Sequence, residues 1–168
     1  MTTVSDLIAL PPAIGWVPVL HYLVDSGDLA KMHPAAAGLY LAIKRHADYH
    51  SGLSTVSNRQ LLLETGITKP TFYRARESLR AFGYISFSDK RYPTVYTIHE
   101  KVQHRAADRT PVACSTFPFI PNNHQKLLEF LRAQPLTRDQ LGTTIVIGSV
   151  NIQINIVQAP SVEMRTAS

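Results

Sequence analysis

Lys69, Thr71, Tyr73 and Arg74 stand close together in "GITKPTFYRARESLRAFGYI", the stretch from Gly66 to Ile85. Their chemistry is recognition rather than bond-making. Arg offers a planar fork of donors, Lys a point charge, and Thr and Tyr hydroxyls that meet an anion or a polar edge. Residues that could make or break bonds are poorly supported by comparison. His46 and His50 are four apart with Asp48 between, a spacing able to hold a metal, but no Glu follows His46 and no third ligand is evident; the expected reading is a solvated helix end, and no metal. Tyr92 beside Arg91 could serve a nicking nuclease, yet the His-x-His such an enzyme needs is missing. Cys114 has no neighbouring base. No Gly-x4-Gly-Lys phosphate loop occurs. An enzyme is therefore not expected, nor a cofactor.

Charge agrees with recognition of an anion. The formal net charge is +5, and it is unevenly placed. Residues 1–54 carry 3 Lys/Arg against 4 Asp/Glu, residues 55–110 carry 10 against 5, and residues 111–168 carry 4 against 3. The excess lies in the middle segment, which points to a polyanion, with a merely solvated face as the plainer reading. The single cysteine excludes an internal disulfide and a thiolate zinc cluster and suits a reducing, cytoplasmic setting. Leu7 to Val24 has no formal charge, but Pro11-Pro12 would break a spanning helix. The residues ahead of it hold Asp6 and no Lys or Arg, unlike a signal peptide. Residues 1–33 read as an arm that packs on the domain, with no membrane contact.

Several elements must position the recognition residues. "PAAAGLYLAIKRHADYH" from Pro34 places Ala36, Leu39, Tyr40, Ile43 and Ala47 on one helical face. His50–Ser57 reads as loop. Ser57 can cap "NRQLLLET", with Gln60 as the capping-box partner, and Gly66 stops that helix. Thr68 caps a second start, Pro70 sits early in it, and Gly83 ends it. On this helix Phe72, Ala75, Leu79 and Phe82 share one face, while Tyr73, Arg74 and Glu77 project the other way. "YISFS" and "TVYTI" alternate as two strands about a charged turn, "DKRYP". Residues 100–121, with Pro111, Pro118 and Pro121, read as a linker. Residues 122–168 then give a short amphipathic helix, with Leu127, Leu128 and Leu131 inward, and an alternating hairpin about Gly148-Ser149.

The segment from Ser57 to Phe82 is the layout of a helix-turn-helix, whose second helix enters a DNA major groove. Arg74 can take guanine bidentately, and Thr71 and Tyr73 can meet phosphate or a base edge. Glu77 can accept from cytosine or hold Arg74 or Arg80, and the second role is preferred. The order of elements resembles the winged helix-turn-helix superfamily. The stretch is similar to its pattern G-[IVL]-S-x-x-T-[VF]-x-R-[AS]-x-x-x-L-x-x-x-G-[YL]-I. Gly66, Ile67, Thr71, Phe72, Arg74, Ala75, Leu79, Gly83 and Ile85 match it, and Thr68 stands where Ser is frequent. Arg76 departs, since an apolar residue is usual there, and is expected to snorkel from a border position. The resemblance covers Gly38–Ile98 and, more loosely, Trp16–Ala37, where the lead-in looks like plasmid and phage replication or regulatory proteins.

The resemblance implies a mainly α fold with a small β wing, a winged helix-turn-helix over residues 34–99. Thr68, Lys69, Thr71, Tyr73 and Arg74 would read bases. Arg59, Arg80, Lys90, Arg91 and Tyr92 would hold the backbone, the last three from the wing tip. The tail presents Ile145, Ile147, Val150, Ile152, Ile154 and Ile156 as an apolar row, expected to join protomers or bind a partner, with packing on its own domain as the alternative. The expected function is sequence-specific binding of double-stranded DNA as an oligomer, as the transcriptional regulator of a mobile element. The alternatives are a replication-initiation or partition accessory at an origin, and a winged-helix adaptor that contacts only protein.

Overall fold

A computed structural model describes residues 17–88, 92–105, 109–133, 142, 144–147 and 150–156. Two single-turn helices, α1 (Tyr22–Asp25) and α2 (Asp28–Lys31), lead into α3 (Ala36–Arg45), β1 (Leu53–Val56), α4 (Asn58–Thr65) and α5 (Lys69–Ala81). Then follow β2 (Ile85–Ser88), β3 (Thr94–Arg105), β4 (Pro111–Pro118), a 3-10 turn (Pro121–Asn123), α6 (His124–Ala133), β5 (Thr144–Ile147) and β6 (Val150–Ile156). The apolar stripe of α3 (Leu39, Tyr40, Ile43) meets Leu61 of α4 and Phe72, Ala75 and Leu79 of α5. Ile85, Tyr96 and Ile98 close this first core from the sheet side, and Leu23 and Met32 join it from the lead-in.

One long strand organises the rest. The first half of β3 pairs with β1 and with β2, and its second half pairs with β4, all antiparallel. The His99 N–H donates to the Tyr84 carbonyl at 2.8 Å, and the Ile98 carbonyl accepts from Phe119 N–H at 2.8 Å. Successive residues of a strand aim their backbone groups at opposite edges, so β2 and β4 flank β3 on opposite sides. β1 and β4 therefore share an edge and meet end to end. Gly52 marks the junction. Its φ is +70°, and a Cβ there would lie 2.0 Å from the Phe119 carbonyl oxygen, so only glycine fits.

Three readings of the sequence are corrected here. Residues 100–121 hold the second half of β3 and all of β4, not an open linker, and the expected boundary at residue 99 falls inside a strand. Of the three prolines that suggested a linker, Pro111 and Pro118 sit at the first and last positions of β4, where a missing N–H is tolerated, and Pro121 opens the 3-10 turn. Likewise "LSTV" within the expected loop 50–57 is β1, paired with Thr94–Thr97.

The tail is the third correction. β6 pairs with β4 and β5 pairs with β6, both antiparallel, which extends the sheet outward from β4. Ile152 and Ile154 are buried in a second core with Ala113, Phe117 and Leu127. These two side chains are used within the chain and are not free to join protomers. The register Ile147↔Val150 leaves two residues for the hairpin connection, Gly148 and Ser149, which lie outside the described residues. The side chains of Ile145, Ile147, Val150 and Ile156 also lie outside what is described.

A buried polar chain joins the two cores. Lys44 of α3 pairs with Glu100 of β3, donates to the Pro18 carbonyl at 2.6 Å, and lies 4.0 Å from the centre of the Phe119 ring. The other Glu100 oxygen contacts His124 Nε2 at 2.5 Å, at the start of α6. Burial pulls the Lys44 ammonium below its ordinary pKa, with Glu100 opposing. A charged Glu at an inward strand position is the reason the alternation of β3 was hard to read.

Candidate nucleic-acid interface

The site is built from α4, the turn after it and α5. Ser57 Oγ caps α4 by accepting from Gln60 N–H at 3.1 Å. The Gln60 side chain does not return to Ser57; its amide donates to Glu64 at 2.8 Å, so half of the expected capping box forms. Glu64 also meets His46 Nε2 at 2.9 Å and Arg45 at 3.8 Å. These partners, the Gln60 hydrogen bond foremost, hold the Glu64 carboxyl below the usual carboxylate range. His46, one of the paired histidines, is thus occupied by a hydrogen bond to Glu64 across the helices.

Gly66 ends α4 in a left-handed conformation, φ +66°, with its N–H donating to the Leu62 carbonyl at 3.0 Å. Ile67 packs on the first core at the corner. Thr68 occupies the N-cap position of α5, but its hydroxyl bonds the Thr71 hydroxyl at 2.9 Å rather than capping the backbone. Pro70, at the second helical position, has no N–H to offer, and Thr71 competes for the oxygen. At the other end, Gly83 N–H donates to the Arg80 carbonyl and Tyr84 N–H to the Leu79 carbonyl, both at 2.9 Å, the paired bonds of a Schellman stop. Lys101 Nζ adds a bond to the Phe82 carbonyl at 2.5 Å. Lys101 was missed because its segment read as linker.

The amphipathic split of α5 is clean. Phe72, Ala75 and Leu79 are fully buried, while Lys69, Tyr73 and Arg74 are exposed and Thr71 is half-buried. Thr68 and Arg59 are exposed as well, the latter in the first turn of α4. Arg80 is exposed but engaged: Glu77 holds it at 2.5 Å, and its guanidinium lies 5.4 Å from the Phe87 ring centre. Tyr92, 85% exposed, stands between β2 and β3. Lys90 and Arg91 lie outside the described residues. Arg76 does not snorkel. It is 6% exposed, with its guanidinium 4.2 Å from the centre of the Phe87 ring.

This arrangement can present donors to a groove or an anion. The acid of α5, half-buried Glu77 in its third turn, is paired with Arg80. Residues 30–85 match a family model for a helix-turn-helix domain. The match takes in α3, β1, α4 and α5 and ends at the first residue of β2. The matched range includes α5 and supports a helix-turn-helix fold of the DNA-binding kind. Comparisons with curated proteins and with solved structures gave no match. Among the described residues, no helix is long and apolar enough to cross a membrane.

Proposed function

We propose that this chain binds double-stranded DNA sequence-specifically, with α5 in the major groove. The observation that carries the reading is the outward face of α5, where Lys69, Tyr73 and Arg74 are uncovered on the second helix of a helix-turn-helix. Arg74 and Tyr73 meet base edges, Lys69, Thr68 and Thr71 the groove wall at the helix start, and Arg59 and Arg80 the phosphates. The connection between β2 and β3, with Lys90, Arg91 and Tyr92, acts as a wing on the backbone or minor groove. The finer role is that of a transcriptional regulator from a mobile element, acting at paired half-sites as an oligomer in the cytoplasm. The test is a salt titration of binding to duplex DNA. Neutralising about five phosphates gives a log–log slope near −4 to −5, and a flat response excludes the proposal in favour of a protein-only adaptor.

A further inference from the structure

Arg76 occupies a turn of α5 where an apolar residue was expected, and it is buried there. Three aromatic rings surround its guanidinium: Phe87 at 4.2 Å, Tyr73 at 5.2 Å and Phe72 at 5.8 Å from carbon to ring centre. Phe72 and Tyr73 also meet edge to face at 5.4 Å. Arg80 shares the Phe87 ring. A weakly hydrated, planar cation among ring faces is attracted by each of them, which an aliphatic residue of similar volume cannot reproduce. Phe72 is fully buried and Phe87 half-buried, whereas Tyr73 is 38% exposed on the outward face of α5.

We infer that Arg76 is a positioning residue for recognition: it holds the Tyr73 ring in one orientation on the reading face and ties that face to β2 through Phe87. This rests on the proposed role of α5. Arg76 does not touch the duplex. Its effect is to order, before binding, a side chain that would otherwise lose rotamer freedom on binding.

A double-mutant cycle tests this, using the full chain and a duplex recovered by selection from a random pool. Arg76→Met should weaken binding about three- to tenfold in the wild-type background and not further in Tyr73→Ala. The same change combined with Arg59→Ala should be additive. Equal losses in both Tyr73 backgrounds, or none in either, overturn the inference. If Arg76→Met melts near the assay temperature, Arg76→Lys replaces it; the ammonium lacks the planar stack, so the same cycle is expected. A second arm needs no DNA. The Tyr73 ring-proton resonances of the free protein should move in the Arg76 variant while those of Tyr92 stay in place, and unmoved Tyr73 resonances also overturn the inference. A wild-type chain with no salt-dependent duplex binding, together with moved Tyr73 resonances, overturns the role of α5 in recognition and leaves only a packing contact.

Discussion

Replacing Glu100 by Leu should be among the most damaging single changes in this chain. Lys44 is buried, with 0% of its side chain exposed, and Glu100 is 2% exposed. Without the carboxylate, the ammonium keeps the Pro18 carbonyl and the Phe119 ring face but loses its counter-ion. Removing one partner of a buried pair costs about 3–5 kcal/mol, which lowers the melting midpoint of a chain this size by roughly 6–20 °C. The cost belongs to the stranded charge rather than to the value of the pair. Lys44→Met with Glu100→Leu should therefore recover most of it, because a well-packed apolar replacement of both partners is close to neutral. His124 loses its acceptor in both variants and does not account for the recovery. Urea unfolding of the wild type, both single variants and the double variant measures the coupling. A Glu100→Leu loss below about 1 kcal/mol, or a double variant whose loss equals the sum of the singles, refutes the argument.

Gly52→Ala should destabilise by about 1–3 kcal/mol from overpacking alone, because the new Cβ meets the Phe119 carbonyl oxygen, a backbone atom that cannot swing away; a shift in the urea midpoint reads it. Gly66→Ala should cost only the left-handed backbone, about 1–2 kcal/mol, since nothing lies within 4 Å of its Cβ, and Gly66→Asn should recover part of that. Burial lowers the pKa of His99, with the Lys101 charge adding to it, and burial lowers that of His104. The unfolded chain therefore binds more protons at these sites below about pH 6.5, so stability should fall as pH drops from 7 towards 5. His104→Gln should flatten that dependence in pH-stepped thermal melts, and an unchanged slope would contradict the assignment. Arg74→Ala should weaken duplex binding by about 1–3 kcal/mol and relax preference at one base pair, read by competition between duplexes.

The helix-turn-helix was legible because its signals are local. Gly66 and Gly83 punctuate the helices, Ser57 caps one, and Phe72, Ala75 and Leu79 repeat at helical spacing. The second half of the sheet was not, because its signals are long-range or disguised. Glu100 and the half-buried His104 occupy inward positions of β3, and each is satisfied by a partner distant in sequence: Lys44 and His124 for Glu100, Ser115 at 2.7 Å for His104. Polar residues at inward positions erase the two-residue period on which a strand assignment depends. The apolar row of β6 was visible, but its covering by Phe117 and Leu127 depends on a pairing that alternation alone cannot assign. Arg76 shows the same limit at the site. Its departure from the pattern was visible, while the ring of Phe87 that makes burial tolerable lies on another element.

In the proposed mode of binding, the outward face of α5 meets the duplex. Photo-cross-linking tests it directly, with a benzophenone-bearing phenylalanine analogue in place of Tyr73 and, in a separate control protein, in place of the exposed Glu129 on α6. Position 73 should cross-link to bases within the selected site, and position 129 should not. Binding that persists with no cross-link from position 73, or with equal cross-linking from both positions, would contradict that mode of binding.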